Sequence, residues 1–235
     1  MSANATYVID PPPQPTLSVA GTDKRFPVRR IWCVGRNYLD HVRELGNDDR
    51  EPPFFFAKPS DAVVEDGATI PYPMATSDLH FEVELVVALK AGGRNVKAAN
   101  ALGLVYGYAV GIDLTRRDQQ NAMRKMERSW EAGKAFDQSA PCGALAPIET
   151  VGHPQKGRIA LTCNGTTRQN GDLDQMVWKV PEIIEKLSEL VELAPGDIIM
   201  TGTPAGVGAT KAGDVLACSI ENVGTLTVTI GKPAK

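Results

Sequence analysis

The run Leu79-His80-Phe81-Glu82-Val83-Glu84-Leu85-Val86-Val87-Ala88-Leu89 is apolar and β-branched except where two glutamates and a histidine interrupt it. A short run this rich in Val and Leu predicts a strand buried on at least one face. Residues i and i+2 of a strand share a face about 6.5–7 Å apart, so Glu82 and Glu84 point one way and Val83 and Leu85 the other. Residues 105–114 form a second apolar run and predict a buried strand with Asp113 at its end. Shorter strands are predicted at 30–35, at 198–202 and twice within 214–230. Residues 159–163 and 166–169 flank Asn164-Gly165, a strong type I′ hairpin signal.

Helical spacing is rarer. Residues 37–46 carry apolar positions at 38, 42 and 45, with Asn37 placed to cap and Gly46 to stop a short helix. Residues 98–102 and the charged stretch 115–130 also predict helix, and 133–137 and 140–143 predict loops. Residues 180–193, apolar at 183, 184, 187, 190 and 191, make the best amphipathic pattern in the chain. Residues 1–28 hold Pro11-Pro12-Pro13 and Pro15 and predict an extended N-terminal arm. With no repeat and no linker in view, 29–235 predicts a single β-rich mixed α/β domain with a few helices.

Composition narrows the function classes. A net charge of −3 and pI near 5.7 argue against nucleic acid or anionic membrane as partner. The four cysteines are dispersed and form no CxxC pair, which predicts reduced thiols and no zinc site. The N-terminal residues lack the basic and apolar regions of a signal peptide, and no window approaches the roughly 18 apolar residues of a membrane span. A cytoplasmic protein is the expectation.

Candidate chemistry starts from Glu82 and Glu84. Inside a protein such a pair is costly unless a cation offsets it, and an oxygen-only donor set suits Mg²⁺ or Mn²⁺. A wet strand face carrying two glutamates is the alternative. Asp113 is either a third ligand or a turn residue. His41 and Glu44, three apart on the predicted helix, can pair as a water-activating base and its orienting carboxylate, or sit at the surface. Lys134, in Gly133-Lys134-Ala135-Phe136-Asp137, is a cation among small and apolar residues where an oxyanion could be held. Arg117 and Gln120 share a helix face. The 201–208 loop lacks the Gly-Lys-Ser/Thr ending of a phosphate-binding loop, and brings Thr203 and its backbone near a ligand instead.

Taken together, Gly35-Arg36-Asn37-Tyr38 leading to His41 and Glu44, then 80–85, 113–120, 133–137 and 201–208, resemble the fumarylacetoacetate hydrolase family in order and spacing. The segments 26–30 and 52–56 add a likeness to its short bacterial fumarylpyruvate hydrolases of gentisate breakdown. The resemblance implies a β-roll-type mixed α/β fold, a homodimer, and one Mg²⁺ or Mn²⁺ per subunit on Glu82, Glu84 and Asp113. It implies catalytic roles for His41, Glu44 and Lys134, and substrate contacts at Arg36, Arg117, Gln120 and Thr203. Phe81 stands where many relatives have a second histidine, and Ala135 where many have glycine. The implied reaction is hydrolysis of a C–C bond in a small 2,4-dioxo acid, fumarylpyruvate first. Acylpyruvate hydrolysis, oxaloacetate decarboxylation and dioic-acid isomerisation are the family's alternatives. A non-catalytic metal-binding scaffold would have been signalled by loss of His41 or Lys134, and both are present.

Overall fold

The structure is a computed structural model that describes residues 6–38 and 51–234. The predicted helix at 37–46 therefore lies, with His41 and Glu44, outside the described residues beyond Tyr38.

Among the described residues the largest sheet orders its six strands Ala146–Pro147, Val105–Ile112, Val83–Leu89, Asp197–Met200, Arg30–Gly35 and Phe54–Lys58. Neighbours run antiparallel except Asp197–Met200 and Arg30–Gly35, which are parallel. The Val83–Leu89 strand is buried at every residue. Its two faces enter two separate cores. Val83, Leu85, Val87 and Leu89 pack with Val110, Ile112 and Ile199, while Val86 and Ala88 pack with Ile31, Cys33, Ala109 and Met200. A strand covered on both sides reads as a continuous apolar run, which is why the sequence here shows so little alternation.

A second sheet closes the first core. Its order is Thr166–Asp172, Arg158–Cys163, Val215–Ile220, Gly224–Gly231 and Thr69–Pro71. The Asn164-Gly165 turn forms as the sequence predicts, with φ of 51° and 78°, the double left-handed geometry that a type I′ hairpin requires. The amphipathic helix spans Val180–Leu190 and lays Ile183, Ile184 and Leu187 on the same core. It stops short of residue 193 because Val191 is already extended.

The second core is closed by the segment expected to be an extended arm. Thr16–Ser18 pairs antiparallel with Arg25–Pro27, and Leu17, Val19, Phe26 and Val28 are buried against the face that carries Val86 and Ala88. Glu82 and Glu84 are themselves buried, so the wet-face alternative for them falls away.

Around the site the predicted 115–130 helix is divided. Thr115–Arg116 is a strand edge, Arg117–Lys125 is the helix, and a turn leads to a short helix, Glu131–Lys134, where loop was expected. The four cysteines are free thiols. No described helix is long and apolar enough to cross a membrane.

Candidate active site

The strand Leu79–Phe81 belongs to a small three-stranded sheet with Thr115–Arg116 and Gly208–Thr210. At Glu82 the chain leaves that sheet and enters the central one. Val83 pairs with Ile112 and Glu84 with Gly111, and the Asp113 amide donates to the Glu82 carbonyl at 2.8 Å. Asp113 thus lies opposite Glu82 across an antiparallel pair, and directly opposed residues share a face. Glu84 is two residues on, on the same side. All three carboxylates are buried, and each offers an oxygen within 4.8 Å of the others. The period of one strand and the register of two create the cluster.

Three cations meet it. Lys134 Nζ lies 2.8 Å from Glu82 Oε2 and 2.6 Å from Asp113 Oδ2, and donates to Thr115 Oγ1 at 2.6 Å. Lys58 Nζ lies 2.9 Å from Asp113 Oδ1 and also donates to the Leu114 carbonyl at 3.1 Å. The Arg117 guanidinium pairs with Glu82 Oε1. Glu84 differs: among the described residues it meets no cation, and accepts only from the Gly202 amide, at 2.7 Å.

Proton affinities follow from this unequal pairing. Burial, then the adjacent Asp113 and Glu82 charges, raise the Glu84 carboxyl well above the usual carboxylate range. Burial also opposes ionisation of Glu82, but Lys134 and Arg117 outweigh it and hold that carboxyl well below its ordinary value. For Lys134 burial is outweighed by Asp113 and Glu82, so its ammonium is held more tightly than usual. Buried carboxylates with one unpaired member and only oxygen donors fit a hard divalent cation. The Asp113 Oδ1 atom supports the fit: it is buried and ion-paired with Lys58 yet accepts no hydrogen bond. Among the described residues no other His, Cys, Asp or Glu cluster is close enough to hold an ion.

The surrounding contacts refine the sequence-based assignments. Arg117 and Gln120 are bonded to each other and line the cavity, but Arg117 is committed to Glu82. The Thr203 hydroxyl donates to the Val83 carbonyl at 2.8 Å and accepts from Gln169 Nε2 at 2.8 Å. It braces the glutamate strand and has no hydrogen left to give a ligand. Lys134 likewise has all three N–H donors engaged, by Glu82, Asp113 and Thr115. Arg36 lines the cavity, and so do Phe56 and Trp130.

Four residues make contacts that the sequence does not announce. Lys58 ends an apolar run, and nothing local marks it as a partner for Asp113. Gln169 accepts from the Val83 amide at 2.9 Å from across the hairpin. Asn37 clamps two loops by donating to the carbonyls of Trp178 and Thr201, at 3.0 and 2.8 Å. His80 has no partner pattern along the chain, yet its Nδ1 accepts from Arg117 Nε at 3.4 Å and its Nε2 lies 3.0 Å from Asp78 Oδ1. Burial and the Arg117 charge lower its pKa. His153, likewise without a partner pattern along the chain, meets the Tyr108 hydroxyl at 2.8 Å.

Lys134 is aimed by the glycine before it. A methyl group at Gly133 would meet the Gln120 backbone nitrogen at 2.8 Å and its Cα at 2.9 Å, so the two site helices touch only because no side chain intervenes. Gly133→Ala is expected to push the Lys134 turn off its seat. Overpacking of this kind costs roughly 1–3 kcal/mol; turnover should fall at least about tenfold while the protein still unfolds cooperatively in urea. Turnover within twofold of wild type would show that the close approach is dispensable.

The carboxylates open into a cavity of about 200 Å³. A larger one, about 740 Å³, is lined by Tyr108, His153, Met176 and Lys179 among others and holds none of the three carboxylates.

Comparison with known proteins places these features in context. A family described as "Fumarylacetoacetate (FAA) hydrolase C-terminal" matches residues 30–231. Over 181 residues the chain is 43% identical to a fumarylpyruvate hydrolase from Ralstonia sp., covering 77% of this chain and 94% of that protein. Over 214 residues it is 39% identical to the mitochondrial oxaloacetate tautomerase FAHD1 of Homo sapiens, covering 88% and 97%. The crystal structure of fumarylpyruvate hydrolase from Pseudomonas aeruginosa, in complex with Mn²⁺ and pyruvate, superposes with a TM-score of 0.93 at 48% identity. It covers 97% of this chain and 100% of that one.

Proposed function

The chain belongs to the fumarylacetoacetate hydrolase family, and we propose that it hydrolyses fumarylpyruvate to fumarate and pyruvate. One observation carries the chemistry: a buried carboxylate triad whose third member, Glu84, has no cation of its own among the described residues. The likeness to fumarylpyruvate hydrolases at 43% and 48% identity supports the choice of substrate.

Glu82, Glu84 and Asp113 would hold Mg²⁺ or Mn²⁺. Such an ion supplies Lewis acidity, which spreads the charge of a pyruvate enolate and makes it a better leaving group. His41, oriented by Glu44, takes a proton from water as the water oxygen bonds to the 4-carbonyl carbon; both residues lie outside the described part of the chain. The bond from that carbon to the methylene next to the 2-keto group then breaks, and the proton is returned to the methylene carbon to give pyruvate. Lys134, buried at the cavity floor, contributes positive potential where the oxyanion develops, a kind of interaction worth about 3–4 kcal/mol. Arg117 and Gln120 line the same cavity and orient the pyruvyl end.

The 39% identity to an oxaloacetate tautomerase favours a second reading, in which the same residues steer enolate protonation without C–C cleavage. Steady-state kinetics on fumarylpyruvate, acetylpyruvate and oxaloacetate, each with Mg²⁺ and Mn²⁺, separates the two. Hydrolysis of fumarylpyruvate with the highest kcat/KM supports the proposal. Tautomerisation of oxaloacetate with no hydrolysis of either acylpyruvate overturns it.

A further inference from the structure

A cavity of about 570 Å³ adjoins the carboxylate cavity. The two share Arg36, Phe56, Arg124 and Trp130. The Arg117–Lys125 helix builds this junction: Arg117, Gln120 and Arg124 recur at helical spacing, so one face runs from the carboxylates to the boundary between cavities. Seven residues along a helix are about 10 Å, comparable with the length of a seven-carbon dioxo diacid such as fumarylpyruvate.

The two arginines at the junction are unlike Arg117. Arg124 is exposed, and among the described residues it makes no ion pair and no side-chain hydrogen bond. Arg36 is held at φ 57°, a left-handed conformation that costs a residue with a Cβ about 1–2 kcal/mol, just where the strand Arg30–Gly35 ends. Such backbone strain persists where the surrounding structure over-determines it, and it clusters at ligand-binding sites. Glutamates 51, 127 and 131 line the outer cavity alone, so the charges shared by both cavities are positive. The walls are aromatic: Phe54 and Trp130 meet at 4.8 Å, and Phe56 and Trp130 at 5.9 Å, between ring centroids. Flat aromatic walls suit a planar unsaturated chain, and a guanidinium suits the carboxylate at its end.

We propose that Arg124, assisted by Arg36, binds the far carboxylate of the acyl group and so sets the preference for a dicarboxylic acylpyruvate over one ending in a methyl group. This rests on the fumarylpyruvate reading above. The test compares wild type with Arg124→Met and Arg124→Lys. With fumarylpyruvate and acetylpyruvate as substrates, the ratio of their kcat/KM values is expected to fall at least tenfold in Arg124→Met, chiefly through KM for fumarylpyruvate, and less in Arg124→Lys. An unchanged ratio overturns the assignment, as does a parallel loss on both substrates. Should wild type hydrolyse neither, the parent reading has failed, and calorimetry with fumarate and crotonate then decides Arg124 alone. Fumarate binding weakened at least tenfold more than crotonate binding supports it; equal weakening of both overturns it.

Discussion

Replacing Lys134 with methionine is expected to destabilise the metal-free protein by about 3–5 kcal/mol, the usual cost of stranding buried charge. The chain length of the two side chains is similar, so little of that cost comes from packing. In the wild type Glu82 pairs with Lys134 and Arg117, and Asp113 with Lys134 and Lys58, while Glu84 meets no cation among the described residues. Without Lys134, Glu82 and Asp113 each lose one of two buried ion-pair partners, and Thr115 loses its donor. At a urea m-value of about 3 kcal/mol per molar, the midpoint should fall by roughly 1 M. Mn²⁺ should return most of that loss, because a divalent ion at the same carboxylates replaces the missing charge, and should stabilise the variant more than the wild type. Turnover should stay about 100-fold to 1,000-fold down even in saturating Mn²⁺, since the lost ammonium served the developing oxyanion. A variant as stable as wild type without metal would refute the charge-balance account. Full activity with Mn²⁺ would refute the catalytic role.

Much of this site was legible in the chain, for a reason that also marks where legibility ended. Glu82 and Glu84 share a face by the strand period, and Asp113 stands out because it closes an apolar run. These are local signals. Their convergence depends on the register that places Asp113 opposite Glu82, and no single segment encodes a register. Lys58 and Gln169 show the limit. Each contacts the glutamate or aspartate strand from 55 or more positions away, and each looks locally like an unremarked polar residue on a strand. The N-terminal segment misled for the opposite reason. Its prolines are local and conspicuous, whereas the burial of Leu17 and Phe26 depends on a partner sheet far along the chain. The resemblance to a known family compensated where local pattern failed, because motif order carries tertiary information that periodicity lacks. It could not, however, show that Thr203 and Lys134 have their donors already engaged within the protein.

Glu84→Gln should separate the fold from the metal site most cleanly. Glutamine keeps the shape of the side chain and an oxygen able to accept from the Gly202 amide, so the strand and its neighbours should fold as before. The electrostatics change sharply. Glu84 is the carboxylate whose charge no described cation offsets, and its loss leaves the remaining two acids facing Lys58, Lys134 and Arg117, a net positive cluster that repels a divalent ion. For the wild type, saturation at 100 times the dissociation constant gives about 2.7 kcal/mol of stabilisation, which for a protein of this size is a Tm rise of roughly 5–10 °C. The variant should show little or none at the same Mn²⁺ concentration. Turnover should fall by about 10³-fold, the equivalent of roughly 4 kcal/mol of lost Lewis-acid stabilisation. Without metal the variant should be at least as stable as the wild type, because the amide removes a carboxylate that burial and two like charges already disfavour. Thermal unfolding with and without Mn²⁺, beside kcat on fumarylpyruvate, reads both sides of the claim. A wild-type Mn²⁺ shift retained in Glu84→Gln would show that the ion is held elsewhere.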